Sequence, residues 1–437
     1  MMKNIAYKNI GSLFVLITLF LVAWGGSSCK DDDDGSNSPA TITKVYLEDA
    51  KSSVTDREVA FARIGQLLRL EGSGFTGVQK VYFNGKSATF NPALATDNNL
   101  FVQIPDGTPI IDAAPDVLNT IIMEKGGTQY EHPFEIRAAA PAITSISHTM
   151  PQAGDVITIY GTGLQGVKQV LFPGNIEGTN ITSDNEDGRW CLVTVPAGIT
   201  TSGSITVIGA NGGAYSPAYF NYKEGLLHNF DDVQNYNWGS GIDNTALTAV
   251  IPSSAGNSPK SQGGYQCFNA DGNLAAGNVQ KFWLNSSPVM DIMGKLPAST
   301  PTDQCGIQMD IYVDGAWNSG IIRYVAADGW GNDRYCMLYQ PVYPNGTSYN
   351  ATAFVNPGCW FTITLPFSLS ADFTDKTLGD VIAQMGQASY MQTGPFFENS
   401  GIKDVFDPVA ATEKIYFDNI RIVPLSAPAY SDFPDEE

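Results

Sequence analysis

The sequence predicts an all-β protein: two tandem β-sandwiches followed by a larger, jelly-roll-like β-sandwich. Three observations carry this. Apolar residues alternate with polar ones in short runs cut by glycine and proline, the period of strands rather than helices. The stretch at 65–85 reappears at 154–174. The repeat then stops, and residues 224–437 hold five of the seven tryptophans. The 437 residues suggest about three domains. Gly 44, Pro 25 and 11% aromatics suit many short strands and turns, and 43% hydrophobic residues suffice for packed cores. A net charge of -20 argues against a nucleic-acid partner, because polyanions would be repelled. His132, His148 and His228 are the only histidines and are far apart in sequence, which leaves little material for a histidine metal site or a Ser-His-Asp triad.

The chain opens on an address. Lys3 and Lys8 precede an apolar run from Leu13 to Trp24, too short to span a bilayer comfortably, followed by Gly25, Gly26, Ser27, Ser28 and Cys29. Small residues before a cysteine resemble a bacterial lipobox. Lys30 and Asp31–Asp34 after it resemble the surface-export signal of Bacteroidetes lipoproteins. The resemblance implies a signal peptide over 1–28, lipidation at Cys29, an acidic tether over 29–40 and a cell-surface location on the outer membrane, held there by the lipid. The competing reading is an ordinary signal peptide with an incidental cysteine. No other segment is long and apolar enough to span a membrane. Among Cys191, Cys267, Cys305, Cys336 and Cys359 no CxxC occurs, so a zinc or redox motif is not expected, and one disulfide is possible.

The repeat defines the first two domains. GQLLRLEGSGFTGVQKVYFNG at 65–85 aligns with GDVITIYGTGLQGVKQVLFPG at 154–174. Leu68 and Leu70, like Ile157 and Ile159, have the alternation of a half-buried strand. Gly72 and Gly74 permit a tight or left-handed turn after it. Val81–Phe83 and Val170–Phe172 form a second strand, and Asn84-Gly85 is a hairpin signal. Strands ending at Pro105 and Pro196 complete the match. The pattern resembles the IPT/TIG family of immunoglobulin-like sandwiches, over 41–137 and 141–223, with Ala138–Pro141 between. Neither copy gathers tryptophans or clustered carboxylates, so both read as spacers.

Residues 224–437 read as the working domain. Its ends look paired: His228–Asp232 opens it and Tyr416–Ile422 closes it. Carbohydrate-binding jelly rolls often begin and end this way, and often hold a structural calcium there; Asp231, Asp232 and Asp418 supply hard oxygen ligands of that kind. No cofactor is otherwise required. Flat aromatic rings stack on the apolar C–H faces of sugars, and polar side chains bond the hydroxyls. The candidate ligand-binding residues are Trp330, Trp317, Trp238, Tyr335, Tyr339, Tyr343, Asn332, Asp333 and Arg334. Trp330 sits between Gly329 and Gly331, and Trp317 lies in a glycine-bounded loop, so both are expected as platforms. Trp283 and Trp360 lie inside strand patterns and read as core.

Catalysis is not expected. Glycoside hydrolysis normally takes two placed carboxylates. The strand Gln308–Asp314 lacks the glutamates of jelly-roll glucanases, and no nucleophile–base pair emerges. Address, tandem repeat and aromatic terminal domain together resemble the second surface glycan-binding lipoproteins of Bacteroidetes polysaccharide utilisation loci, with a C-terminal xyloglucan-binding-like domain. The resemblance implies a polysaccharide ligand, with xyloglucan or another β-glucan the first expectation, and partners in a SusD-like protein and a TonB-dependent transporter. The alternatives are a TIG-domain adhesin for a protein partner and a divergent glycanase.

Overall fold

The computed structural model describes residues 38–50, 52–240, 263–326, 334–341, 354–387, 392–399 and 408–433. Three β-sandwiches follow one another along the chain. In the first, one sheet is built on Thr41–Leu47, Leu67–Ser73 and Asn99–Gln103, and the facing sheet on Val78–Phe83, Thr120–Lys125 and Thr128–Pro133. The second copies it with Ala142–Ile146, Val156–Thr162 and Trp190–Thr194 against Gln169–Phe172 and Thr206–Gly209. Leu68, Leu70, Ile157 and Ile159 are all fully buried.

The repeated glycines have two different duties. A Cβ on Gly72 would lie 1.9 Å from the Thr41 carbonyl oxygen, and one on Gly161 2.1 Å from that of Ala142. These glycines let two strands approach closely. The second of each pair, Gly74 (φ 74) and Gly163 (φ 70), takes the left-handed conformation at the turn. Asn84 and Gly85 both have positive φ, as a two-residue hairpin between Val78–Phe83 and Lys86–Ala88 requires.

The third sandwich has two five-stranded sheets. In one, Lys414–Pro424 lies between Leu226–His228 and Cys305–Asp314, with Phe361–Pro366 beyond and Gln266–Phe268 also pairing with it. The expected meeting of the domain's two ends is therefore observed, with His228 opposite Ile420. The second sheet runs Tyr236–Ser240, Val279–Asn285, Gln392–Glu398, Ile321–Val325 and Cys336–Tyr339. Alternate residues of both, such as Met309, Ile311, Phe417, Phe282 and Phe397, form the core between them. A helix at Leu378–Gln387 is capped reciprocally by Thr377 and Asp380. The helix Ser286–Met293 was not foreseen, because its short apolar run reads equally well as a continuing strand. No disulfide joins the five cysteines of the described residues. Cys191, Cys267 and Cys305 are buried thiols whose pKa burial pushes up to about 12.

The first of these sheets has an outer face, and the second domain sits on it. Arg421 donates to Asp310 at 2.9 Å and to the Thr149 hydroxyl at 2.6 Å. Thr149 donates to Gln308, His148 approaches Asp310 at 3.5 Å, and the Thr362 N–H donates to the Ser147 carbonyl. Burial alone would raise the Asp310 carboxyl. The Arg421 guanidinium and His148 outweigh burial and hold it well below the usual range. Val423 is fully buried in the second domain's core. Residues 425–433 leave the third sandwich and run back over the other two.

Removing one partner of a buried ion pair strands the other charge. Arg421→Ala is therefore expected to cost roughly 3–5 kcal/mol of unfolding free energy. Urea unfolding measures it, and a loss under about 1 kcal/mol would mean that this pair does not hold the joint.

Candidate functional site

The outer face of the second five-stranded sheet points away from the second domain and carries an exposed aromatic. Trp238, on the edge strand Tyr236–Ser240, is 42% exposed and lies opposite Trp283 in register. Trp283 is itself only 1% exposed, but it is no part of the main core. With Val325, Cys336 and Phe396 it forms a small cluster of its own on the outward side. Its ring meets Phe396 edge-on at 4.6 Å. Its indole N–H is buried and has no hydrogen-bond partner among the described residues. Buried donors are almost always satisfied, so this one is notable.

Polar groups flank the rings. Lys281 and Arg323 stand 5.4 Å and 5.5 Å from the centre of the Phe396 ring, and Arg323 pairs with Glu398 at 2.9 Å. Burial, and then the Arg323 charge, lower the Lys281 pKa. Strand alternation explains the arrangement. Lys281, Trp283, Arg323, Phe396 and Glu398 occupy the odd or even positions whose neighbours Phe282, Ile322 and Phe397 fill the core. Such a face offers an apolar ring to stack on and charged groups to bond hydroxyls beside it.

The sequence-based candidates are dispersed. Trp238 lies on this face. Trp317 does not: it is 4% exposed, packs against Tyr339, Phe354 and Phe397, and donates its indole N–H to the Gly320 carbonyl at 2.9 Å. Its flanking glycines shape a loop that folds the ring inward. Tyr339 pairs with Ile322 on the core side of its strand, where burial pushes its hydroxyl up to about 12. Tyr335 packs on Phe373, and Arg334 is engaged by Asp372 and the Tyr335 hydroxyl. Trp317 is thus a buried ring rather than the exposed one expected, Tyr339 packs against the core, Tyr335 is half-buried and Arg334 stays exposed. Trp330, Asn332, Asp333 and Tyr343 lie outside the described residues, as does Cys29. Trp283 is buried, as its strand pattern predicts, and Phe396, Lys281, Arg323 and Glu398 share its face. Alternation around Trp283 was visible, but which face it served was not.

The three aspartates expected to hold calcium do not all converge. Asp418 is buried, and burial, then the charges of Asp310 and Asp231, raise its carboxyl well above the usual range. Asp231 accepts from the Gly264 N–H at 2.8 Å. Asp232 instead accepts from the Asn229 side chain at 2.7 Å. Two of the three donors are thus within electrostatic reach of each other, and among the described residues no cluster of three acidic, histidine or cysteine side chains is placed to hold a metal.

Residues 220–424 match the family model described as the surface glycan-binding protein B xyloglucan binding domain. The chain is 24% identical over 379 residues to an IPT/TIG domain-containing protein of Bacteroides ovatus, covering 82% of this chain and 69% of that relative. Its fold resembles the crystal structure of surface glycan-binding protein PbSGBP-B from Prevotella bryantii. There the TM-score is 0.61 at 17% identity, over 90% of this chain and 100% of that one. The SGBP-B from a complex xyloglucan utilization locus in Bacteroides uniformis matches at 21% identity and a TM-score of 0.46, over 88% and 99% of the two chains.

The raised carboxyl of Asp418 has a pH signature. A carboxyl raised on folding favours the folded state while protonated, below its unfolded value of about 4, and becomes a cost as pH rises through its folded value. Asp418→Asn removes that ionisation. Its melting temperature should gain on the parent's as pH goes from about 4 to about 8. A difference that stays constant over that range would mean no buried carboxyl titrates at 418.

Proposed function

We propose, from the match of residues 220–424 to the model of the surface glycan-binding protein B xyloglucan binding domain, that this protein captures a β-glucan polysaccharide at a bacterial cell surface without cleaving it. One observation carries the reading. An exposed Trp238 shares a sheet face with the Arg323–Glu398 pair and Lys281. An indole on the surface costs hydration unless something covers it. A pyranose chain meets that need, with C–H faces for the ring and hydroxyls for the charged groups beside it.

Xyloglucan is the first ligand to try, with mixed-linkage β-glucan next. The first is what the matching family model is named for. Glu398, a carboxylate on this face, is held by Arg323, so a pair of carboxylates free for acid and nucleophile roles is not part of the reading. Anchoring by lipid at Cys29, outer-membrane placement, and service to a SusD-like protein and a TonB-dependent transporter complete the proposal. They are supported by the sequence of the first 34 residues and by the kind of protein the relatives are. A structural calcium is included only in a narrowed form, with Asp231 and Asp418 as its acidic donors.

Affinity electrophoresis of the full chain through gels containing plant and host glycans tests the binder. Retardation by a β-glucan is expected, with Trp238→Ala weakening it at least about tenfold, or about 1.4 kcal/mol. Leu94→Ala, an exposed apolar change on the first domain, should leave it unchanged. Retardation by no glycan would overturn the reading and favour a protein-binding adhesin. Release of reducing sugar would make the protein an enzyme. For calcium, a chelator should lower the melting temperature, and an unchanged one withdraws the metal.

A further inference from the structure

Past its last strand the chain does not stay with the third domain. Leu425 packs against the second domain's core. Tyr430 then lies on Gly213 of the second domain, so close that a Cβ there would come within 2.1 Å of its ring, and contacts Tyr215 at 5.4 Å between ring centres. The next residues reach the first domain. Asp432 pairs with both Arg63 and Arg137, the latter at 3.2 Å, and all three side chains are mostly buried. Phe433 stacks on Phe61 with centres 5.3 Å apart and planes 8° from parallel, and Arg57 covers it at 4.6 Å. A Ser431 hydroxyl bonded to the Phe433 N–H and carbonyl fixes the turn between them.

These contacts gather at the joint between the first two domains. Arg63 also donates to the Ala138 carbonyl at 2.8 Å and to the Asn211 carbonyl at 2.7 Å, and Asn211 accepts from the Ala138 N–H at 2.9 Å. Arg63 therefore ties the first domain, the linker, the second domain and residue 432 in one cluster. We propose that Leu425–Phe433 is a strap that fixes the angle between the two immunoglobulin-like domains. The linker Ala138–Pro141 is short, and interfaces between domains of one chain ordinarily permit relative motion. The strap adds an ion pair to two arginines, an aromatic stack and an aromatic–glycine contact across both domains. The third domain is already joined to the second through Arg421, so the strap makes one rigid body of all three. This inference stands apart from the glycan reading.

Small-angle X-ray scattering of the full chain carrying Asp432→Ala and Phe433→Ala together tests it. The radius of gyration and maximum dimension should rise, and a broad-specificity protease should cut between residues 137 and 142 about tenfold faster. Circular dichroism and glycan retardation should match the parent. Scattering curves that superimpose, or cleavage at the parent rate, would overturn the proposal. If the double variant fails to fold, Asp432→Asn, which removes only the charge, puts the same question through the same two readouts.

Discussion

The buried guanidinium of Arg421 is the constraint on which the rest of the structure depends. It sits on the strand Lys414–Pro424, which pairs with three neighbours and so organises one sheet of the third sandwich. Asp310 and Thr149 anchor it from two different domains. A cation without water has to be surrounded by acceptors in fixed places, because its desolvation costs several kcal/mol. The acceptors here come from both sides of a domain boundary. The interface is thereby specified in register as well as area, since a slip of one residue would turn Arg421 into the core.

That choice decides where function can sit. A sandwich has two outer faces. One is occupied by the second domain and filled with buried polar groups, Asp310, Gln308, Thr362 and Arg421. The other carries the exposed Trp238 and the buried Trp283 cluster. The part of the first face that meets the second domain is closed while the joint is made. Further along the same strands that face carries rings, Tyr312 and Tyr416 with Tyr265 and Trp360 beside them.

The repeat made the first two domains legible, because glycines that permit close approach or positive φ cannot be replaced and so mark both copies at one spacing. The pairing of His228 with Ile420 was legible from the likeness of the domain's ends. The site was less so. Alternation places a tryptophan on a strand but does not say which face is inward: Trp283 is buried as expected, but on the outward side of its sheet. Glycine flanks suggested that Trp317 was exposed, yet the loop they permit turns the ring inward to bond Gly320. The strap left no local signal at all. Asp432 meets Arg63 across 369 residues of chain, and nothing in Ser431-Asp432-Phe433 announces a partner that far away.

Rigidity and weak contact belong together here. A ring on a sheet face gains modest free energy from one sugar, and a polymer is held when many such contacts are made at one surface. Each contact loses part of its gain if a jointed support must be ordered at the moment of binding. Joining the third domain to the second through Arg421, and the second to the first through Arg63 and Asp432, settles that ordering during folding. The aromatic face is then presented in a fixed direction relative to the first domain. A spacer of two immunoglobulin-like domains can set a distance, but only a spacer with locked joints can also set an orientation.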